Sequence, residues 1–178
     1  NVSEAHGGGL HASTFDDDFG TTTVVITKNS ITGNSAGSET VIGYGGGIYG
    51  LTYGFGAETI EIAENTVANN TCADLGGGIS VSSLPTVVPE NSTDPLVLVE
   101  DNTVTGNSGN GGGIAIGLGD TADADIQNNI ILGNTGAVPD VAIDTDFDAN
   151  TTHGTFWFDY NDTATANIWT NHPTPAPF

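Results

Sequence analysis

The residues of this chain best suited to chemistry are oxygen donors. Asp144, Asp146, Asp148 and Asn150 recur at every second position, the spacing of the first part of a Ca²⁺-binding loop, without that loop's Gly and closing Glu. Asp16-Asp17-Asp18 and the set Asp120, Asp123 and Asp125 are further acidic clusters. Hard oxygen ligands favour Ca²⁺ over transition metals, so Ca²⁺ is the one cofactor expected, with solvated acidic loops as the alternative. Catalysis has less to work with. A lyase acting on uronates needs a base beside the proton it removes and cations to hold the carboxylate, and the only Lys or Arg in the chain is Lys28. Hydrolysis of a glycoside needs two carboxylates across the bond, roughly 5 to 9.5 Å apart. With 22 Asp and Glu, chance pairs are unavoidable and their number decides nothing. His6 and His11 flank Gly7-Gly8-Gly9, but no Ser, Cys or third ligand accompanies them. The residues therefore point to a protein with no catalytic set, not an enzyme. Asn1, Asn69, Asn91, Asn150 and Asn161 each begin an Asn-x-Ser/Thr sequon and are the candidate glycan acceptors.

Charge narrows the partners. A formal net charge of −21 with a single basic side chain excludes nucleic acid, whose binding relies on Lys and Arg. Membrane insertion is not expected either, since no run approaches the ~18 apolar residues of a spanning helix. The sequence opens on Asn1-Val2-Ser3 and contains no Met. These features lead to the expectation of a processed, exported product located outside the cell or on its surface. One cysteine, Cys72, leaves no intrachain disulfide.

The elements that must position these residues come from a tandem repeat. Gly7-Gly8-Gly9-Leu10, Gly45-Gly46-Gly47-Ile48, Gly76-Gly77-Gly78-Ile79 and Gly111-Gly112-Gly113-Ile114 open four units. Two Asn columns recur in register between them: Asn29, Asn65, Asn102 and Asn129, then Asn34, Asn70, Asn107 and Asn134. Alternation such as Thr59-Ile60-Glu61-Ile62 has the period of a strand, and the segments are short and bounded by Gly. One unit alone cannot bury its apolar side chains, so successive units must stack as coils of a solenoid. Each copy reads as three short strands with turns at the Asn positions. There the Asn side chains would form hydrogen-bonded ladders from coil to coil. The variable segments 11–22, 50–57, 82–95 and 117–121 all fall on one edge.

The expected fold is all-β, a right-handed parallel β-helix of about four to five coils over residues 1–162, with Thr155–Asp162 in an aromatic last coil. An extended Pro-rich tail, 163–178, follows. The units resemble the parallel β-helix repeats of pectate-lyase-like proteins and of polymorphic outer-membrane proteins, with their Gly-Gly-Ala/Gly-Ile motif. They are most similar to secreted choice-of-anchor Q domain proteins, through Asn129-Ile130-Ile131-Leu132-Gly133-Asn134-Thr135-Gly136 and the later Asp159-Tyr160-Asn161-Asp162. The resemblance implies the fold and says little about activity, because such solenoids host lyases, hydrolases, adhesins and structural proteins. The polygalacturonase signatures are missing, and Thr152-His153-Gly154-Thr155 is only a faint echo of one.

A solenoid with little capping sequence exposes its end strands to other chains. The expected function is therefore that of a non-enzymatic structural subunit, joining copies of itself head to tail into an extracellular filament or sheath. The Asn1–His6 arm or the 163–178 tail would lie along a neighbour. The alternative is an adhesin or carbohydrate-binding module whose glycan partners stack on Phe15, Phe19, Tyr49, Tyr53 and Phe55. A polysaccharide-degrading enzyme is a weaker third reading.

Overall fold

The alternation of apolar and polar residues becomes a stack of parallel strands, with every second side chain turned inward. The structure, a computed structural model, describes residues 1–16, 20–38, 41–54, 57–85, 95–119, 122–145, 155–164 and 166–170. The chain first lays β1 (Val2–Ser3) and then circles repeatedly over four sheets, here called B, C, D and A in the order in which it meets them. The first rung is β2 (Leu10–Asp16), β3 (Thr21–Thr27), β4 (Ser30–Thr32) and β5 (Ser35–Ala36). The second is β6 (Ile48–Gly54), β7 (Ala57–Ala63), β8 (Thr66–Ala68) and β9 (Thr71–Leu75). The third is β10 (Ile79–Pro85), β11 (Leu96–Glu100), β12 (Thr103–Thr105) and β13 (Ser108–Asn110). The fourth is β14 (Ile114–Leu118), β15 (Asp123–Gln127) and β16 (Ile130–Leu132), with a single bridge, Ser108 to Thr135, on sheet A. A partial fifth rung consists of β17 (Val141–Thr145), β18 (Phe156–Asp159) and β19 (Asp162–Thr163), and β20 (Ala166–Thr170) lies beyond it on sheet B. Among the described residues there is no helix. The fold is an all-β parallel solenoid of about four turns.

Register is kept from rung to rung, so each column repeats one residue type. Leu10, Ile48, Ile79, Ile114 and Val141 face inward from sheet B, and Ile26, Ile62, Val99, Ile126 and Phe158 from sheet C. Ile31, Val67, Val104 and Ile131 complete the same core from sheet D. β-Branched residues dominate because their stiff side chains pack well on a pleated surface. No rung has a core of its own; each apolar layer is buried only by the layers above and below.

Three features depart from the expected layout. The segments expected as variable loops from 11, 50, 82 and 117 begin as strand, since β2, β6, β10 and β14 run on to Asp16, Gly54, Pro85 and Leu118 where they pair with neighbouring rungs. The first three turns have four strands each where three are expected, because the short stretch after the second Asn pairs as sheet A. Its strands, such as Ser35–Ala36, are too short to show alternation. The solenoid also continues past the expected boundary at 162, since β20 pairs with β17 from Val141↔Ala166 to Thr145↔Thr170. Pro173, Pro175 and Pro177 all follow this segment, so its backbone N–H groups remain able to donate. Residues 171–178, which hold the Pro-rich part of the expected tail, lie outside the described residues.

Candidate functional site

The two Asn columns stand at the corners on either side of sheet D. In the first, the backbone N–H and Nδ2 of each Asn both donate to Oδ1 of the Asn on the next rung. These bonds are 2.9 and 3.1 Å from Asn29 to Asn65 and from Asn65 to Asn102, and 3.0 Å for both from Asn102 to Asn129. Asn161 extends the column, its Oδ1 accepting from Asn129 at 3.0 and 2.9 Å. Nδ2 also reaches back one rung, from Asn65 to Ile26 O, Asn102 to Ile62 O, Asn129 to Val99 O and Asn161 to Ile126 O, at 2.7 to 2.8 Å. The second column repeats this from Asn34 through Asn70 and Asn107 to Asn134 at 2.9 and 3.0 Å per step. The backbone nitrogen of Asn1 joins it by donating to Asn34 Oδ1 at 3.2 Å, and buried Asp140 accepts from Asn134 Nδ2 at 3.2 Å. An amide suits this position because it offers an acceptor to one neighbouring rung and donors to both. Beside the first column, Lys28, Glu64, Asp101, Asn128 and Tyr160 all hold a left-handed φ, between 55° and 61°.

The expected ligand residues are placed unevenly. Asp144 lies on β17 by its backbone, while Asp146, Asp148 and Asn150 fall outside the described residues, as does Asn91. Among the described residues, no three His, Cys, Asp or Glu side chains converge on a position that could hold a metal ion. Of the sequon residues, Asn69 is exposed in the left-handed turn that Gly33, Gly106 and Gly133 occupy on the other rungs. Asn1 is exposed, and half-buried Asn161 commits to Ile126 O the Nδ2 that a glycan would take. Lys28 Nζ lies 3.4 Å from Glu64 Oε1 with both side chains exposed. Phe15 and Tyr53 pair on the outer face of sheet B with ring centres 6.0 Å apart, and Tyr49 is buried.

Groups outside the expected ligand set also come together. His6 stacks on Tyr44 at 4.9 Å and tilts against Tyr49 at 5.0 Å, with His11 at 6.5 Å. Burial, and then the nearby His11, lower the pKa of His6 below its ordinary value of 6.5. Burial pushes the Cys72 thiol up to about 11. Glu58 on β7 is only 1% exposed; on sheet B, Thr14, Thr52 and Ser83 are also buried, and Thr52 donates to Ser83 Oγ at 2.8 Å. The signal for Glu58 is its parity: it shares the inward phase of Ile60 and Ile62 in β7.

The most specific unused chemistry lies at the ends of the stack. One end presents the edges of β1, β2, β3 and β4; the other presents β18, β19 and β20. Among the described residues, Asn29 Oδ1 accepts no hydrogen bond at the first rung, and Asn161 has no further Asn to donate to at the last. No protein-family model, curated protein or solved structure matches the chain.

Proposed function

We propose that this chain is a non-enzymatic structural subunit that assembles end to end into an extracellular filament or sheath. The observation that carries the reading is that all four sheets are parallel and run along the stack, so their edges, unpaired among the described residues, gather at two unlike ends. Exposed strand edges recruit further strands. A contact between unlike ends does not close on itself and so generates fibres. Five rungs at about 4.8 Å set an axial rise near 24 Å per copy. The likeness of the Gly-Gly-Gly-Ile coils to choice-of-anchor Q and pectate-lyase-like proteins supports a secreted or surface setting, as do the sequons. Among the described residues, no helix is long and apolar enough to cross a membrane. Bound Ca²⁺, at Asp144, Asp146, Asp148 and Asn150, would neutralise part of the acidic loop edge.

Negative-stain microscopy and light scattering of the purified chain test this. Filaments with an axial repeat near 24 Å are expected, and a monodisperse monomer at all concentrations overturns the proposal. The exposed Phe15–Tyr53 pair favours the second reading, an adhesin or carbohydrate-binding module. A monomer that binds defined glycans on an array would establish that reading instead.

A further inference from the structure

The fifth rung lacks the strand that β1 of another copy would supply. Among the described residues it has strands on sheets B, C and D but none on sheet A, where the stack stops at the Ser108–Thr135 bridge. From β19 the chain passes directly to β20, which stands one rung ahead on sheet B. Four columns show what is missing. They run Val2, Ser35, Thr71, Ser108, Thr135; Leu10, Ile48, Ile79, Ile114, Val141; Val24, Ile60, Val97, Ala124, Phe156; and Ser30, Thr66, Thr103, Ile130, Asp162. Each spans the same number of rungs on its own sheet. A second copy raised by five rungs, about 24 Å, sets its β1 on Thr135, β2 on β17, β3 on β18 and β4 on β19 with every register preserved.

We propose, resting on the filament reading, that copies join in this register: β1 of the incoming copy completes the fifth rung, its β3 and β4 stack on β18 and β19 as the next rung, Asn161 passes the ladder to the incoming Asn29, and β20 yields its place on β17 to the incoming β2. The ladder has the polarity this requires. On every internal step an Asn donates to the Oδ1 of the following rung, so the last rung offers donors at Asn161 and the first offers an acceptor at Asn29. The incoming Asn29 Nδ2, which here donates to Thr27 O at 2.9 Å, would turn back to Phe158 O as its counterparts do on internal rungs.

The side chains beside the ladder match as well. Val25 and Trp157 head and close one outward column and are 54% and 47% exposed, so the joint covers both apolar groups. Lys28 and Tyr160 occupy the same turn position, and Tyr160 is 84% exposed. The joint brings that ring beside the only Lys or Arg in the molecule, a cation–π arrangement. Asp159 and Asp162 are exposed on the same last rung, so the incoming Lys28 also approaches carboxylates there. β20 holds the site until exchange: its five pairs with Val141–Thr145 are replaced by five from Leu10–Thr14 of the incoming strand, trading like for like.

Two variants of the full chain test the register. Asn29 is exposed and its backbone N–H keeps its bond to Asn65 Oδ1, so Asn29→Ala should fold and melt as the parent does. The concentration at which its filaments appear should rise at least about tenfold, the scale of one or two lost hydrogen bonds. Ala142 and Asn167 are register partners, and adjacent strands lie within disulfide reach. Ala142→Cys with Asn167→Cys, oxidised with diamide, should therefore lock β20 in place and stop assembly, and reduction should restore it. Filaments of the parent alongside an Asn29→Ala threshold equal to the parent's, or an oxidised pair that assembles as well as the reduced one, overturn the register and leave the filament reading standing. A parent that remains monomeric overturns both.

Discussion

At the scale of single residues, the ladder amides carry more than their surface-turn composition suggests. Asn102 accepts from the N–H and Nδ2 of Asn65 and donates to Ile62 O and Asn129 Oδ1, all in the interior. Asn102→Ala leaves the buried Asn65 N–H without its acceptor and takes one donor from the Ile62 carbonyl, so we expect a loss of about 3 kcal/mol in urea unfolding, against less than about 1 kcal/mol for Asn29→Ala. Both Asn columns are legible in the sequence because they recur in phase. Asn161 is not, since it first reads as a sequon, and its ladder role appears only when β18 and β19 fall into register. Cys72 and His6 make two pH predictions. The Cys72 thiol ionises only near 11, against 9.0 for a free thiol. The fold therefore favours the protonated form, and stability that is complete below pH 9 is lost as pH rises towards 11. Cys72→Ser should remove that alkaline loss in melting curves. His6 has the opposite sense: burial against Tyr44 and Tyr49 and the proximity of His11 favour neutral imidazole. Its contribution is complete above pH 6.5 and is lost as pH falls through its lowered value. The melting-temperature difference between the parent and His6→Gln should shrink as pH drops below 6.5.

At the scale of elements, the Gly positions separate into those that set a turn and those that admit a neighbouring strand. Gly33 has φ of 66° and nothing within 4 Å of where a Cβ would sit, so Gly33→Ala should cost only the left-handed penalty of about 1 kcal/mol. A Cβ at Gly77 would overlap the backbone of Ser108 on the next rung, and Gly77→Ala should cost about 3 kcal/mol or more as the rungs are forced apart. Denaturant midpoints of the two variants measure the contrast. The same division explains which elements were legible. Strands such as Ala57–Ala63, with buried Glu58, Ile60 and Ile62 in alternation, show their period, whereas Thr71–Leu75 and Ser35–Ala36 lie between an Asn and a Gly run and read as turn. Strand ends on the loop edge were also hidden. β2, β6 and β10 run on through Asp16, Gly54 and Pro85, into segments whose composition resembles loop. Pairing with the next rung decides these ends, and local sequence does not contain that information.

At the scale of the whole molecule, charge opposes the assembly that the strand edges favour. The chain carries a formal −21, and at a rise of about 24 Å per copy the proposed filament would bear roughly one net charge per 1 Å of axis. That is denser than the roughly one per 1.7 Å of duplex DNA, where condensed counterions and a strong salt dependence follow. Attraction at the joint comes from a single Lys28 facing Tyr160, with Asp159 and Asp162 nearby, which is too little to reverse the sign of the whole. Salt should therefore promote growth. Raising ionic strength from about 0.01 to 0.15 M shortens the screening length from about 30 to about 8 Å, well below the spacing of successive copies. The threshold concentration for filaments, read by light scattering at both ionic strengths, should fall. A threshold that rises with salt would mean that the contact between Lys28 and the last-rung residues outweighs the repulsion of all other charges. Assembly would then be controlled by that one residue, and Lys28→Gln would abolish it at low salt. If repulsion dominates, Lys28→Gln should shift the threshold only slightly while added salt still lowers it, so the two measurements together decide which force governs growth.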